Sequence, residues 1–384
     1  MYATRLLSMY KKNPSALSDP PPSGPNSGYL VIFDEEAQTY SCFGLCKSNR
    51  IKDFPIPQNK NLTIEYSVGE DTDTEKAMFI PVLNQPLSSN RYYVIKRKGK
   101  NQGQASTSSK EEDMATCLCC NFVRDVKPRP LEPFDDYQQV EIIKKGYGFR
   151  AKSVASDGIP PGLLREKGWT LHASTPDNYR LGQALGSNDS LRSKLPNFNF
   201  PLSNDRSESV VVGKWYCPFM FVKEGMRLKE QMKMSVFYEL TLEQRWEKIF
   251  SKENSGEGGV LVDVNIQTEV AKVAGKDAVW DENNLVGGVL WFKSVEEMGE
   301  EIISVGLSLE VVEGMKWEQE RFGWIAGKER QVKVTKFEEF GGTNNWNKFS
   351  CYVLVESFSL RRMDRRLVLT YDYRHSHQIR SKWE

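Results

Sequence analysis

The densest run of apolar positions lies near the C-terminus. Residues 349–360 (FSCYVLVESFSL) are apolar on both parities: Phe349, Cys351, Val353 and Val355 on one, Tyr352, Leu354, Phe358 and Leu360 on the other. Successive strand side chains point to opposite faces, so this pattern predicts a strand buried on both sides. A polar stretch at 361–366 (RRMDRR) follows, and 367–373 (LVLTYDY) is β-branched and aromatic again. Together they predict an antiparallel hairpin whose first strand is covered above and below by other segments.

Further short strands are predicted at 28–34, 41–46, 62–66, 78–82, 91–96 and 117–123, separated by Pro- and Gly-rich breaks. Residues 29–140 therefore read as a small antiparallel β domain. Before it, 1–28 reads as an extended N-terminal arm closed by Pro20, Pro21, Pro22 and Pro25. The polar run at 97–113 (RKGKNQGQASTSSKEED) reads as a mobile loop. Residues 141–255 form a mixed α/β middle region. It holds a broken pair of short helices at 177–195, a strand at 210–222, and alternation from Met232 to Leu240. There, Thr241 to Gln244 has the form of a capping box, opening a helix with Leu242, Trp246, Ile249 and Phe250 on one face. Residues 256–384 form a C-terminal α+β domain. It opens with the cleanest period-two alternation in the chain, Val260, Val262, Val264, Ile266, Thr268 and Val270. A helix capped by Ser308 runs through Ile325, a strand covers 331–337, and the hairpin closes the domain. The predicted fold class is α+β: β-rich, mostly antiparallel sheets with a few short helices, in two or three domains.

Charge removes one function class. The chain of 384 residues carries 52 Lys+Arg against 51 Asp+Glu, a formal charge of +1, without the basic excess of a nucleic-acid binder. No stretch reaches the roughly 18 apolar residues of a membrane span, and the first residues lack the continuous apolar core of a secretory signal. The expectation is a cytoplasmic protein, attached if at all to the membrane periphery.

Several clusters have the right residue types for chemistry. Cys117, Cys119 and Cys120 give a C-x-x-C spacing, with Cys42 and Cys46 upstream, and a thiolate tetrad of that kind holds zinc. The competing account is that these cysteines are small buried hydrophobes, and reversible acylation is a third. His375 and His377 share a strand parity with Tyr371 and Tyr373, a spacing compatible with two metal ligands. Zinc is the one cofactor the sequence brings forward. Arg361, Arg362, Arg365 and Arg366 crowd the hairpin tip, a cationic group suited to phosphates of an anionic membrane surface or to an acidic protein partner. Ser109 precedes Glu111, Glu112 and Asp113, the setting an acidophilic kinase selects. No G-x-S-x-G elbow or Walker loop occurs, and Gly256-Glu257-Gly258-Gly259 lacks the third glycine and following helix of a dinucleotide fingerprint. No catalytic residue is named from sequence.

The stretches SMYKKNPSALS, GPNSGYLVI, CFGLC, PQNKNL, TSSKEEDM, DVKPRPLEP, KWYCPFMFVKEG, TLEQRW, MKWEQERFGW and YDYRHSHQIRSKWE span nearly the whole chain. In them the chain resembles a plant-specific family of uncharacterised proteins, a domain of unknown function. Two positions depart from that family's pattern: Gly314 stands where an Arg is usual, and Arg365 where a turn Gly is usual. The resemblance implies no activity, cofactor or catalytic residue, although some relatives carry a label mentioning an insecticidal-toxin-like domain. The expected function is that of a non-enzymatic intracellular binding or scaffold protein for a protein partner or membrane surface. The alternatives are a lectin-like or pore-forming-like β protein, and an enzyme or zinc-binding protein with a site assembled from dispersed residues.

Overall fold

The computed structural model describes all residues except 42–45, 118–119, 255–257, 296–300 and 343–344, and leaves the side chains of 41, 46, 115–117 and 120–122 undescribed. It is β-rich, with 47% strand against 15% helix, and its sheets are mostly antiparallel. The chain forms two compact units. One comprises Met1–Ala184, Pro218–Met220 and Met226–Phe237; the other comprises Leu185–Cys217, Phe221–Gly225 and Tyr238–Glu384.

In the first unit, β1 (Tyr2–Leu6) leads directly into α1 (Leu7–Lys12) and pairs in parallel with β2 (Gly28–Ile32). Its start is thus not the extended arm the prolines suggest. Tyr2, Ala3, Leu7 and Tyr10 are buried, and the Tyr2 hydroxyl donates to the Pro81 carbonyl at 2.8 Å. The main sheet contains β3 (Asn61–Val68), β4 (Asp71–Pro81), β5 (Arg91–Lys96), β6 (Gln139–Lys145), β7 (Gly148–Ser153) and β8 (Thr170–Ser174). Its order is β7-β6-β5-β4-β3-β8, with Arg50–Ile51 beyond β8, and its pairings are antiparallel. The inward parity supplies Ile64, Phe79, Tyr92, Ile142, Phe149 and Leu171 to a core centred on Trp169.

The polar run at 97–113 is tied down rather than mobile. Ser106 N–H donates to Val94 and Ser108 N–H to Tyr137, while Ser109 and Ile159 exchange both backbone bonds. Ser106, Thr107, Ser108 and Ser109 are all buried. Hydropathy reads such a stretch as solvated, but small hydroxyl residues bury readily once neighbouring strands satisfy their backbone groups. A short helix, Leu228–Met234, occupies part of the stretch read as alternating strand, which begins instead at Phe237.

The second unit is built on a long antiparallel sheet. Its elements are α2 (Asp189–Arg192), β9 (Val210–Pro218), β10 (Phe237–Glu253), β11 (Gly259–Gln267), β12 (Glu269–Val273), β13 (Lys276–Trp280), β14 (Val289–Ser294), β15 (Ser304–Ser308), α3 (Leu309–Glu320), β16 (Gln331–Glu339), β17 (Lys348–Arg362) and β18 (Leu367–Trp383). From Val222–Lys223 the sheet runs β15-β14-β13-β12-β18-β17-β10-β9. The predicted hairpin is β17–β18, and β17 is buried from Phe349 through Leu360. The predicted helix after Thr241 is instead the middle of β10. Tyr238, Leu240, Leu242, Gln244 and Trp246 form one buried parity there, and the polar Gln244 interrupts the apolar alternation that would have shown it. Of the predicted helices at 177–195 only α2 forms, while α3 begins after Ser308 and ends at Glu320, with Gly323 in the left-handed region just beyond.

β11 and β16 form a two-stranded ribbon hydrogen-bonded to each other and to no other named strand. The alternation read from sequence is its amphipathic design. Val260, Val262, Val264 and Ile266 of β11, with Val332 and Val334 of β16, join Phe349, Cys351, Val353 and Val355 of β17 in one apolar cluster. The opposite parity presents Asp263, Asn265, Gln267, Lys333 and Thr335 outward.

Candidate functional site

An open cleft of about 430 Å³ lies in the second unit where β11 passes into β12 and the chain turns into β16; Gln267, Glu269, Asp277, Trp280, Arg330 and Gln331 are among the residues that line it. Its geometry follows from the ribbon register. Gln267 pairs with Gln331, and Thr268 N–H donates to the Arg330 carbonyl at 2.8 Å. The turn that leads into β16 has two central non-glycine residues in the left-handed region, Glu329 (φ 52°) and Arg330 (φ 57°). Each such residue costs on the order of 1–3 kcal/mol and persists only where surrounding contacts over-determine it. Here the contacts are plain. The Arg330 guanidinium lies 4.3 Å from the Trp280 ring centroid, 3.4 Å from the Glu269 carboxylate and 3.7 Å from Glu282, and it donates to the Trp280 carbonyl at 3.3 Å.

Behind the cleft Trp280 packs against Phe292 and Tyr371 at ring-centroid distances of 5.6 and 5.3 Å, Tyr371 against Tyr373 at 4.6 Å, and Tyr373 against Trp324 at 5.0 Å. The Trp280 and Trp324 indole nitrogens and the Tyr371 and Tyr373 hydroxyls are buried without a partner in hydrogen-bond geometry among the described residues. Burial pushes both tyrosine hydroxyls well above the ordinary phenol range. Burial likewise raises the Glu269 carboxyl, an effect that Lys316 opposes, Glu282 reinforces and Arg330 opposes.

A second polar cluster is sealed inside the same unit. Arg192, at the end of α2, donates through Nε to Glu356 Oε1 at 2.7 Å and through Nη2 to Glu356 Oε2, a bidentate pair. Its Nη1 lies 3.1 Å from Glu318, and Nη2 donates to the Glu318 carbonyl at 2.9 Å. Phe322 covers the guanidinium at 4.3 Å. Gln244 donates to Glu356 at 2.8 Å, which explains a buried amide in β10. His375 Nε2 meets Gln319 Oε1 at 3.0 Å and lies 3.6 Å from Glu356. Arg192, Glu356 and His375 are fully buried. Burial alone would raise the Glu356 carboxyl, but the Arg192 and His375 hydrogen bonds outweigh it and hold it at about 2. Burial raises Glu318 instead, with Arg321 and Arg192 opposing. The cluster is closed to solvent, and its hydrogen bonds from Arg192 to Glu356 and Glu318 clamp α2 and α3 to the sheet, so it offers a ligand no access.

The residues singled out from sequence do not gather at one place. His375 is committed to this internal cluster, while His377 is exposed with its ring centroid 5.5 Å from that of His375. Among the described residues no three His, Cys, Asp or Glu side chains are grouped so as to hold a metal ion. Cys117 and Cys120 are partners in a small hairpin, Met114–Cys117 with Cys120–Val123, whereas Cys119 and Cys42 lie outside the described residues. Ser109 is buried, and its hydroxyl donates to the Arg124 carbonyl at 3.1 Å, so it is not displayed on a loop as a kinase site requires. At the hairpin tip Arg362 is held by both oxygens of Glu224, with Nε at 3.0 and 3.1 Å, and Arg366 lies 3.3 Å from Asp364. Arg361 is half-buried; Arg365 is exposed in the left-handed region (φ 71°), the conformation glycine adopts most easily. Glu269, Trp280 and Arg330 escaped the sequence reading because no local motif links residues on β12, β13 and a remote turn.

The comparisons with known proteins bear on fold rather than chemistry. A family described as "Protein of unknown function (DUF1262)" matches residues 23–121, less than half of the chain and wholly within the first unit. No curated protein matches the chain. Among solved structures, the crystal structure of Cry35Ab1 superposes with a TM-score of 0.50 at 10% identity, covering 85% of this chain and 90% of that chain. At that identity the likeness is one of fold alone. The chain is therefore similar over residues 23–121 to a domain of unknown function, and over most of its length to the β-rich fold of Cry35Ab1.

Proposed function

We propose that this chain is a non-enzymatic intracellular binding protein, and that it binds through the cleft over Trp280. The carrying observation is the turn at Glu329 and Arg330, whose unfavourable backbone is spent on fixing one guanidinium against an aromatic face and a buried carboxylate. Fixed polar groups around a partly apolar cleft suit recognition, because little ordering is left to occur on binding. The buried thiols of Cys217 and Cys351, both free, suit a reducing compartment. The test follows the indole N–H resonance of Trp280, assigned with Trp280→Phe, as mixtures of sugars, amino acids, nucleotides and fatty acids are added to the labelled full chain. At least one mixture is expected to move it; a resonance indifferent to all of them would sink the proposal.

A second reading, insertion into a membrane, draws support from the ribbon. β11 and β16 are each long enough to approach the roughly 9–11 residues of a membrane-crossing strand, and they alternate apolar and polar side chains. No helix of the described residues is long and apolar enough to cross a membrane, which leaves strands untested.

A further inference from the structure

We propose that the cleft over Trp280 is a saccharide site, taking a neutral, hydroxyl-rich ligand against Gln267, Asp277 and Gln331. This deepens the binding function proposed above and rests on it.

Apart from the exposed Glu329, the charged side chains at the cleft are already paired. Asp277 lies 2.9 Å from Lys272, Glu282 lies 2.6 Å from Lys316, and Glu269 lies 3.4 Å from Arg330. An anionic ligand would have to displace one of these pairs and face Glu329, whereas a neutral one leaves them in place. What the cleft offers instead is a set of planar groups of mixed hydrogen-bonding sense. The Gln267 and Gln331 amides stand opposite each other in the ribbon register, both exposed, and each presents a carbonyl acceptor and an NH₂ donor. Asp277, exposed at the rim, adds acceptors. A hydroxyl both donates and accepts, so neighbouring hydroxyls on one ring satisfy neighbouring donors and acceptors; a purely apolar ligand would bury them unpaired.

Apolar surface lies beside these groups. Val279 and Val295 line the cleft while remaining 59% and 47% exposed, and the Trp280 ring adjoins them. Aliphatic and aromatic surface next to planar polar side chains complements a pyranose, whose C–H face is apolar and whose rim is hydroxylated. The Trp280 indole N–H is buried behind the lining, so its resonance serves as a reporter of a ligand at the rim rather than as a contact to it. The left-handed turn fixes Gln331 at the rim before any ligand arrives.

Saturation-transfer NMR on the full chain with glucose, galactose, mannose and N-acetylglucosamine tests this. At least one sugar is expected to receive saturation and to move the Trp280 indole resonance. Asp277→Ala and Gln331→Ala should each weaken it about tenfold with an unchanged melting temperature, and Tyr147→Ala, an exposed position in the other unit, should change nothing. If the four sugars leave the resonance unmoved while another compound class moves it, the saccharide assignment falls and the binding function stands. If nothing moves it, both fall. Sugar binding undiminished in Asp277→Ala and Gln331→Ala would also overturn the site.

Discussion

Arg192 joins residues that are far apart in sequence, 164 positions from Glu356 and 126 from Glu318, in a volume closed to water. Removing one partner of such a group leaves a buried charge uncompensated. Arg192→Ala is expected to destabilise the second unit by about 3–5 kcal/mol, measured by urea unfolding. Replacing Arg192, Glu356 and Glu318 together with apolar residues of similar volume should recover much of that loss. The carboxylates differ in sign. Glu356 is held at about 2, so its contribution is fully present above the ordinary carboxylate range and is lost as pH falls from there through about 2. Glu269 is raised, so the fold favours its protonated form and gains stability from it as pH falls through its native titration toward the ordinary value. Glu269→Gln should therefore remove a rise in melting temperature on mild acidification, and Glu356→Gln should remove a fall at lower pH. Neither group is legible in the sequence, where charged residues so separated read as solvated.

At the scale of elements, legibility followed hydrophobic pattern. The β17–β18 hairpin could be read because its first strand is apolar on both parities, and β11 because it alternates cleanly. β10 was misread because Leu242, Trp246 and Phe250 fit helical spacing as well as strand parity, and because the buried Gln244 conceals the alternation. Its tertiary partners decide: β10 pairs with β17 along most of its length. The cleft could not be read, since it exists only when β12, β13 and the turn before β16 are brought together. The ribbon supports its own prediction. Its inner face covers β17, so insertion into a bilayer requires that face to exchange β17 for lipid. If membrane insertion occurs, dye should escape from liposomes treated with the full chain, and Val262→Asp, which places a charge on the lipid-facing parity, should abolish release. Intact liposomes under all conditions would remove this reading.

For the whole molecule, a near-neutral charge leaves membrane association to local groups. At the hairpin tip, Arg362 and Arg366 are already ion-paired, so attraction to anionic headgroups would rest on Arg361 and Arg365, at about 1 kcal/mol each near the surface. Flotation with anionic vesicles is accordingly expected to be weak, lost at high salt and reduced by Arg361→Ala with Arg365→Ala. Arg362→Ala should act differently, by freeing Glu224, and lower the melting temperature. Recovery equal with neutral and anionic vesicles would exclude a role for the tip.

Cys351 sits beneath the ribbon, fully buried, its sulfur 3.9 Å from the Ser381 hydroxyl that also bonds Glu338 of β16. That position makes it a native sentinel. Alkylating reagent can reach this sulfur only in moments when the overlying layer parts from β17, so the rate at which the peptide containing it gains mass clocks that opening without any introduced probe. Cys217, equally enclosed but outside the ribbon's cluster, provides an internal reference for unfolding of the rest.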